Sequence, residues 1–210
     1  MTATMLAMQL DAPGQPLRPV ERSRPTPGKG ELLIQVSACA VCRTDLHVVD
    51  GDLDGPLPII PAHEVVGHIL EVGDGASGFS QFTGFTRDGG FATHLVADAA
   101  YCFSLPQSFS DVEAAPLLCA GLIGYRAYQM AGDASCLGFY GFGAAAHVLA
   151  QVALWEGRRV FAFTQSGDTA GQAFARELGC EWSGASDEDP PEVLDAAIIF
   201  APVGALVPRR

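Results

Sequence analysis

The sequence has few basic side chains and lacks a long uninterrupted apolar run. Its 12 lysines and arginines stand against 24 aspartates and glutamates, which gives a net charge of -12. Nucleic acids and anionic membrane surfaces would repel such a chain, so neither is an expected partner. The longest apolar stretch, residues 196–207, is too short to span a bilayer and is interrupted by Pro202 and Gly204.

A secretory signal is also not expected, because no basic segment followed by an apolar one opens the sequence. The six cysteines are unevenly spaced and do not form the pattern of a small disulfide scaffold. Reduced thiols or metal ligands, in a cytoplasmic protein, are therefore expected. A hydrophobic content of 49% with 17% charged residues indicates a folded globular chain.

Short β-rich segments separated by glycine and proline fill the first part of the chain. Residues 31–36, 65–73 and 91–96 have strand patterns, which predicts a small barrel-like β domain. The run Ser110-Asp111-Val112-Glu113 resembles a helix-capping box, and we expect the helix that it starts to carry Cys119.

The pattern changes to alternating strands and helices from residue 134. Strands are predicted at 137–140, 160–163 and 195–200, and helices at 144–156 and 169–178. This alternation is typical of a parallel sheet with crossover helices. The prediction is thus an α/β chain, with a β-barrel domain over residues 1–132 and a parallel α/β sheet over 133–210.

Four residues far apart in the chain have the side chains of one catalytic zinc site: Cys42, His63, Glu64 and Cys119. Such a site has about three protein ligands of the cysteine, histidine or carboxylate kind and one open position. Each residue alone is more often structural, and Cys39-x-x-Cys42 alone could be a thiol pair or half of a zinc knuckle. No second CxxC completes a four-cysteine knuckle. The full set together favours zinc.

Three residues just after Cys42 have side chains that suit such a site, two for proton transfer and one for orienting a ligand. Thr44 could place a hydroxyl beside the reacting oxygen, and His47 could continue a relay towards solvent. Asp45 is suited by type to accept a hydrogen bond from a ligand imidazole and fix its tautomer.

A glycine-rich motif of the form GxGxxA lies at residues 141–146. Gly141, Gly143 and Ala146 follow a predicted strand and precede a predicted helix. There the glycines allow the backbone to approach a pyrophosphate, and the helix N-terminus stabilises its charge. The motif is weak evidence alone and stronger in this strand–turn–helix context.

The end of the next strand is where a carboxylate would bind the ribose 2′-hydroxyl of NAD. Thr164, Gln165 and Ser166 stand there, and the next acid is Asp168. Because no carboxylate stands there to repel a 2′-phosphate, the sequence favours NADP. The lean is slight, because no arginine stands there to bind the phosphate. Thr164 is the candidate cofactor contact at this position.

These motifs together resemble the zinc-dependent medium-chain dehydrogenase/reductase family, the alcohol dehydrogenases in particular. The resemblance is carried by residues 42–47, His63-Glu64, Cys119 and 141–143. It implies a GroES-like domain with one catalytic zinc, joined to a Rossmann domain that binds NAD or NADP. The implied reaction is hydride transfer between a small-molecule alcohol and NAD(P), giving an aldehyde or ketone, and a homo-oligomer is possible.

The chain departs from the family pattern at three places. Ala62 stands where the family usually has glycine. The stretch 73–90 has neither the Gly-Asp-Arg-Val strand nor the four-cysteine lobe of the members with a structural zinc. We therefore expect no structural zinc, and the shorter stretch suggests an internal deletion near 78–83. The chain stops after what would be the fourth strand of the cofactor sheet, which suggests a partial Rossmann domain.

We therefore expect a shortened zinc-dependent alcohol dehydrogenase. The alternative is a non-catalytic remnant of that family that binds zinc or nucleotide without turnover. A zinc-free quinone reductase of the same superfamily is less favoured, because it would not need Cys42, His63 and Cys119 together.

Overall fold

The computed structural model describes residues 3–75 and 81–207. The chain forms two compact units, Met1–Cys119 and Ala120–Arg210. The predicted division of function after residue 132 stays a prediction. Of the predicted deletion near 78–83, residues 78–80 lie outside the described residues.

Antiparallel pairs build the first unit. Strand β1 (Thr4–Gln9) pairs with β2 (Arg18–Ser23). Strand β3 (Glu31–Ala40) lies between β4 (Glu64–Val72) and β5 (His94–Asp98) and is antiparallel to both. The three predicted strands thus correspond to β3, β4 and β5, whereas the β1–β2 pair was not predicted.

Two short helices of the first unit carry residues of interest. Helix α1 (Arg43–Asp50) follows β3 directly. Helix α2 (Asp111–Ala114) begins with the predicted capping box, since Glu113 Oε2 accepts from the Ser110 backbone N–H at 3.0 Å.

The predicted position of Cys119 on that helix is wrong. Helix α2 lasts a single turn, because Pro116 has no N–H to continue an α-helix and the chain turns into a 3₁₀ segment, Ala115–Leu117. Cys119 lies after that segment and immediately before the next helix, α3 (Ala120–Met130).

A four-stranded parallel sheet forms the second unit, with the order β8-β7-β6-β9. After α3, its elements are β6 (Cys136–Tyr140), α4 (Ala144–Trp155), β7 (Arg159–Thr164), α5 (Thr169–Glu177), β8 (Trp182–Ala185) and β9 (Ala196–Ile199). The predicted alternation is confirmed, and only β8, whose Trp-Ser-Gly-Ala sequence has little β propensity, was passed over.

The core of the second unit joins the sheet to α4. Phe139 and Val160 of the sheet and Leu149 and Ala153 of α4 are all buried in one cluster. This packing holds α4 against the sheet. In the part of the chain that the structure describes, we find no helix with the length and apolar character required to cross a membrane.

Candidate metal and nucleotide sites

The first site begins where β3 ends and α1 starts. Cys42 caps the N-terminus of α1 in an extended conformation, and its backbone N–H donates to Asp45 Oδ2 at 2.8 Å. Asp45 is in the first helical turn and is only 2% exposed. The buried carboxylate thus holds Cys42 on a defined turn.

The same carboxylate binds His63. Asp45 Oδ1 lies 2.8 Å from His63 Nδ1, and because a carboxylate only accepts, Nδ1 carries a proton. Nε2 is then the nitrogen available to a metal, the usual arrangement of a histidine ligand backed by a carboxylate. The predicted role of Asp45 as an acceptor for a ligand imidazole agrees with this geometry.

Hydrogen bonds to Asp45 and, second, to Cys119 raise the pKa of His63 to about 11. His63 therefore lies between two acceptors, one of them a candidate metal ligand. A metal ion binding to Nε2 must displace a proton there, because ligands coordinate in their deprotonated forms.

The ligand atoms of Cys42, His63 and Cys119 lie within 4.8 Å of one another, the one such group in the described part of the chain. The two Sγ atoms are 3.9 Å apart, far beyond the roughly 2.05 Å of a disulfide bond. Two sulfurs at about 2.3 Å from one tetrahedral zinc lie about 3.8 Å apart, so the spacing fits zinc. Two thiolates and one imidazole also form a known ligand set of catalytic zinc.

Glu64 does not belong to this group of close ligand atoms. It opens β4 and is 2% exposed, so its carboxylate is buried next to His63 in the chain. Its assignment as a metal ligand stays a prediction.

Cys39, the other cysteine of the CxxC pattern, has a thiol with a raised pKa. Burial first, and then the negative charges of Asp45 and Glu64, raise the pKa of the Cys39 thiol to about 12. A thiol that stays protonated is a poor metal ligand, because the thiolate is the ligand form. The Cys39 sulfur is also not among the close ligand atoms, so in the described part of the chain Cys42 is grouped with His63 and Cys119 and not with Cys39.

The turn that presents His63 has an unusual backbone. Ala62 adopts a left-handed conformation with φ 83°, which costs a residue with a Cβ atom roughly 1–2 kcal/mol. The turn is held by hydrogen bonds from Gly90 N–H to Ala62 O at 2.9 Å and from Gly89 N–H to Ile60 O at 2.7 Å. Alanine thus retains the backbone conformation that the glycine of the family pattern would adopt readily.

Both residues predicted to transfer protons lie on α1. Thr44 Oγ1 is 3.7 Å from Cys42 Sγ, and Thr44 is exposed. His47 lies three residues further on, so the two side chains are on one face of the helix. His47 Nδ1 is 2.7 Å from Asp52 Oδ2.

The second site lies between β6 and α4. Gly141 has φ 88°, a conformation that glycine adopts without strain, and its N–H donates to Phe163 O at 2.8 Å. Gly143 caps α4, and a Cβ atom there would meet nothing within 4 Å, so the backbone is open to a ligand. Ala146 is fully buried, and its small side chain allows α4 to pack closely on the sheet.

Thr164, at the end of β7, has its side chain turned into the protein. It is 2% exposed, and its Oγ1 accepts from Gln172 Nε2 at 3.1 Å. Asp168 is occupied in capping α5, since its Oδ1 accepts from the Gly171 N–H at 2.9 Å. The assignment of Thr164 as a cofactor contact stays a prediction.

A carboxylate reaches this end of the sheet from the neighbouring strand. Ser166 Oγ donates to Asp187 Oδ1 at 2.9 Å, and Asp187 follows β8. The sequence gives no signal for this pair, because the two residues meet only through the pairing of β7 with β8. The contact between Asp52 and His47 was not predicted either. Its sequence signal is the spacing of five residues across the end of a helix.

Residues 28–81 match the family of alcohol dehydrogenase GroES-like domains. The Mycobacterium tuberculosis (strain CDC 1551 / Oshkosh) protein named "Probable alcohol dehydrogenase AdhA" is 40% identical over 253 positions, which cover 98% of this chain and 71% of the relative. Because the alignment is longer than the 210 residues of this chain, at least 43 positions of the relative have no counterpart within it.

Solved structures share the fold. The cobalt- and zinc-bound thermostable alcohol dehydrogenase from Pyrobaculum aerophilum has a TM-score of 0.76 at 24% identity, over 89% of this chain and 67% of that one. Acetophenone reductase from Geotrichum candidum NBRC 4597, in complex with NAD, has a TM-score of 0.82 at 19% identity, over 93% and 68%.

Proposed function

The chain belongs to the zinc-type alcohol dehydrogenases of the medium-chain dehydrogenase/reductase family, and we propose that it transfers hydride between a small-molecule alcohol and NAD(P), giving an aldehyde or ketone. The observation that carries the proposal is the group of Cys42, His63 and Cys119 ligand atoms within 4.8 Å. A glycine-rich turn at a helix N-terminus supports the cofactor half of the proposal.

The metal would be held by Cys42, His63 and Cys119. When bound, zinc supplies a Lewis acid that polarises the oxygen of an alcohol or carbonyl group. Asp45 keeps the Nδ1 proton of His63 in place, so that the ring keeps one orientation. Glu64 provides a buried negative charge next to His63 in the chain, and direct ligation by it remains part of the proposal.

Thr44 and His47 would handle the proton of the substrate hydroxyl. A threonine hydroxyl both donates and accepts, so Thr44, adjacent to Cys42 Sγ, can receive that proton while passing on its own. His47 is the next side chain on the same helix face that can both accept and release a proton. The order Thr44 then His47 leads away from the ligand group.

Gly141 and Gly143 would seat the cofactor pyrophosphate, with the first backbone N–H groups of α4 directed at it. Ala146 contributes by close packing of α4 on the sheet.

For the form of the cofactor, we propose NAD, against the slight lean of the sequence to NADP. The Asp187 carboxylate, held beside Ser166, would accept from a ribose 2′-hydroxyl and would repel a 2′-phosphate. Residues 164–192 contain one basic side chain, Arg176, and it is bonded to Ser183. A homo-oligomer and a cytoplasmic location stay predictions.

The test is NAD-dependent oxidation of a panel of primary and secondary alcohols by zinc-loaded protein, followed by the absorbance of the NADH formed. Turnover should be lost in Cys42→Ser and in His63→Gln. It should persist in Cys102→Ser, which removes a half-buried cysteine of the same unit outside the ligand group.

Two results would contradict the proposal. Unchanged turnover in the ligand variants would exclude the zinc site as the reaction centre. Absence of turnover in protein that holds both zinc and NADH would favour the non-catalytic alternative, which no present observation favours.

A further inference from the structure

His47 has a carboxylate partner of its own. Asp52 Oδ2 lies 2.7 Å from His47 Nδ1, and the Asp52 backbone N–H donates to His47 O at 2.9 Å. The chain can return to His47 in this way because Gly51, with φ 83°, ends α1 in the left-handed conformation. Asp52 therefore binds both the backbone and the ring of the same histidine.

This contact decides which ring nitrogen of His47 is free. An ionised carboxylate can only accept, so the proton of the neutral ring must lie on Nδ1. Nε2 then carries the lone pair and is the nitrogen that can accept a further proton. The side chains of Asp45 and His63 form the same Nδ1–carboxylate pair at the other end of α1.

The exposure of the pair argues against a role in stability. The side chains of His47 and Asp52 are 34% and 61% exposed. Exposed ion pairs contribute at most about 1 kcal/mol to folding, so a structural role for this contact would be minor.

We propose that Asp52 is a positioning residue that holds His47 in the Nδ1–H tautomer, so that Nε2 receives the substrate proton and releases it to solvent. The proposal rests on the proposed function, in which His47 takes part in the proton relay. Asp52 acts only through His47 and does not itself touch the substrate.

The first experiment measures the tautomer directly, without activity. Protein labelled with ¹⁵N-histidine is examined by NMR, with His47→Gln used to assign the ring signals. The wild type should show His47 protonated on Nδ1. Asp52→Ala should shift the ring towards the Nε2–H tautomer, and Asp50→Ala, which removes an exposed carboxylate two residues away, should not. An unchanged tautomer in Asp52→Ala would overturn the proposal.

The second experiment tests whether Asp52 acts through His47 or whether its loss disturbs the active site independently of His47. In Asp52→Ala, kcat for alcohol oxidation should fall by roughly tenfold, less than the roughly 100- to 10,000-fold that general acid–base catalysis typically contributes, with KM for the alcohol unchanged. In a His47→Gln background the same substitution should have no further effect. An equal loss in both backgrounds would overturn the proposal.

The two experiments also separate this inference from the proposed function. If the wild type has no alcohol dehydrogenase activity, the proposed function fails. The tautomer measurement then still decides whether Asp52 orients His47.

Discussion

At the scale of single residues, one carboxylate joins two of the proposed metal ligands. Asp45 accepts from the Cys42 backbone N–H and from His63 Nδ1, each at 2.8 Å. It does so from a buried position, where an unmade hydrogen bond is costly. The ligand group should therefore be sensitive to changes at Asp45 as well as at the ligands.

We expect Asp45→Asn to weaken zinc binding by about 10–100-fold, the usual effect of removing a partner of a metal-binding histidine. The amide can still accept from His63, but it has no second oxygen for the Cys42 N–H. Competition with a chromophoric chelator measures the affinity, and Asp50→Asn is the matched control. Equal affinities in the two variants would show that Asp45 has no such role.

The cysteines should differ in reactivity. Burial is the largest cause that raises the pKa of Cys39 to about 12 and that of Cys180 to about 11, so both stay protonated between pH 7 and 9. Since the thiolate is the nucleophile, both should resist iodoacetamide until the pH approaches those values. Cys42 and Cys119 are half-buried and should react when zinc is removed and be protected when it is bound.

Timed alkylation followed by mass spectrometry of the peptides checks this. Rapid labelling of Cys39 at pH 8, at the rate of Cys42, would contradict the pKa assignment. Equal labelling of Cys42 and Cys119 with and without zinc would contradict the ligand assignment.

Asp187 should set the preference between the two cofactor forms. Replacing it by serine removes the negative charge beside Ser166, so the affinity for NADPH should rise by about tenfold relative to that for NADH, an effect of about 1.4 kcal/mol. The Asp189→Ser variant removes the same charge two residues later and should change the ratio much less. Titration of cofactor fluorescence gives both affinities, and an unchanged ratio in Asp187→Ser would leave Asp187 without this role.

At the scale of elements, the turn before β4 depends on the close approach of the segment at Gly89. Gly89 approaches it so closely that a Cβ atom would lie 2.0 Å from Ala62 O and 2.7 Å from Pro61 O. Any side chain at residue 89 must therefore push the backbone that carries His63.

Gly89→Ala should lower the free energy of unfolding by about 1–3 kcal/mol, the range for overpacking a buried site, and should weaken zinc binding as well. Gly204→Ala is the control, because an added Cβ atom there meets nothing within 4 Å. Urea denaturation measures the stability of both variants. Equal free energies of unfolding in the two variants would contradict the prediction, because the backbone around Ala62 would then accommodate the added Cβ atom without cost.

Elements with a clear periodic pattern were predictable from the sequence. The strands 31–36 and 137–140 and the helix 144–156 match β3, β6 and α4 within a few residues. The prediction for Cys119 is wrong because the capping box indicates where α2 begins but not where it ends, and Pro116 ends it after one turn. Strand β8 was missed because its strand character comes from pairing with β7 and not from its residues.

At the scale of the whole molecule, the ligand types were predictable and their geometry was not. Cys42 and Cys119 are separated by 77 positions in the chain, and only the fold brings their sulfurs to 3.9 Å. Asp52 reaches His47 because α1 ends at Gly51, and Asp187 reaches Ser166 because β8 pairs with β7. Neither contact can be read from the residue types alone. The sequence predicts a metal site, and the structure adds hydrogen-bond partners that the residue types alone do not reveal.

The alignment with the Mycobacterium tuberculosis relative covers 98% of this chain and 71% of the relative. It is 253 positions long, so at least 43 positions of the relative have no counterpart among the 210 residues of this chain. This difference supports the predicted internal deletion, which remains a proposal. The residues of the ligand group and the glycine-rich turn are all present in spite of it.

Zinc K-edge X-ray absorption of the zinc-loaded protein tests the central claim most directly, because it reports the ligands of the metal itself. We predict one zinc per chain with two sulfur ligands at about 2.3 Å and nitrogen or oxygen ligands at about 2.0–2.1 Å. The sulfur contribution should fall to one in Cys119→Ser. A spectrum with four sulfur ligands, or with none, would contradict a site formed by Cys42, His63 and Cys119.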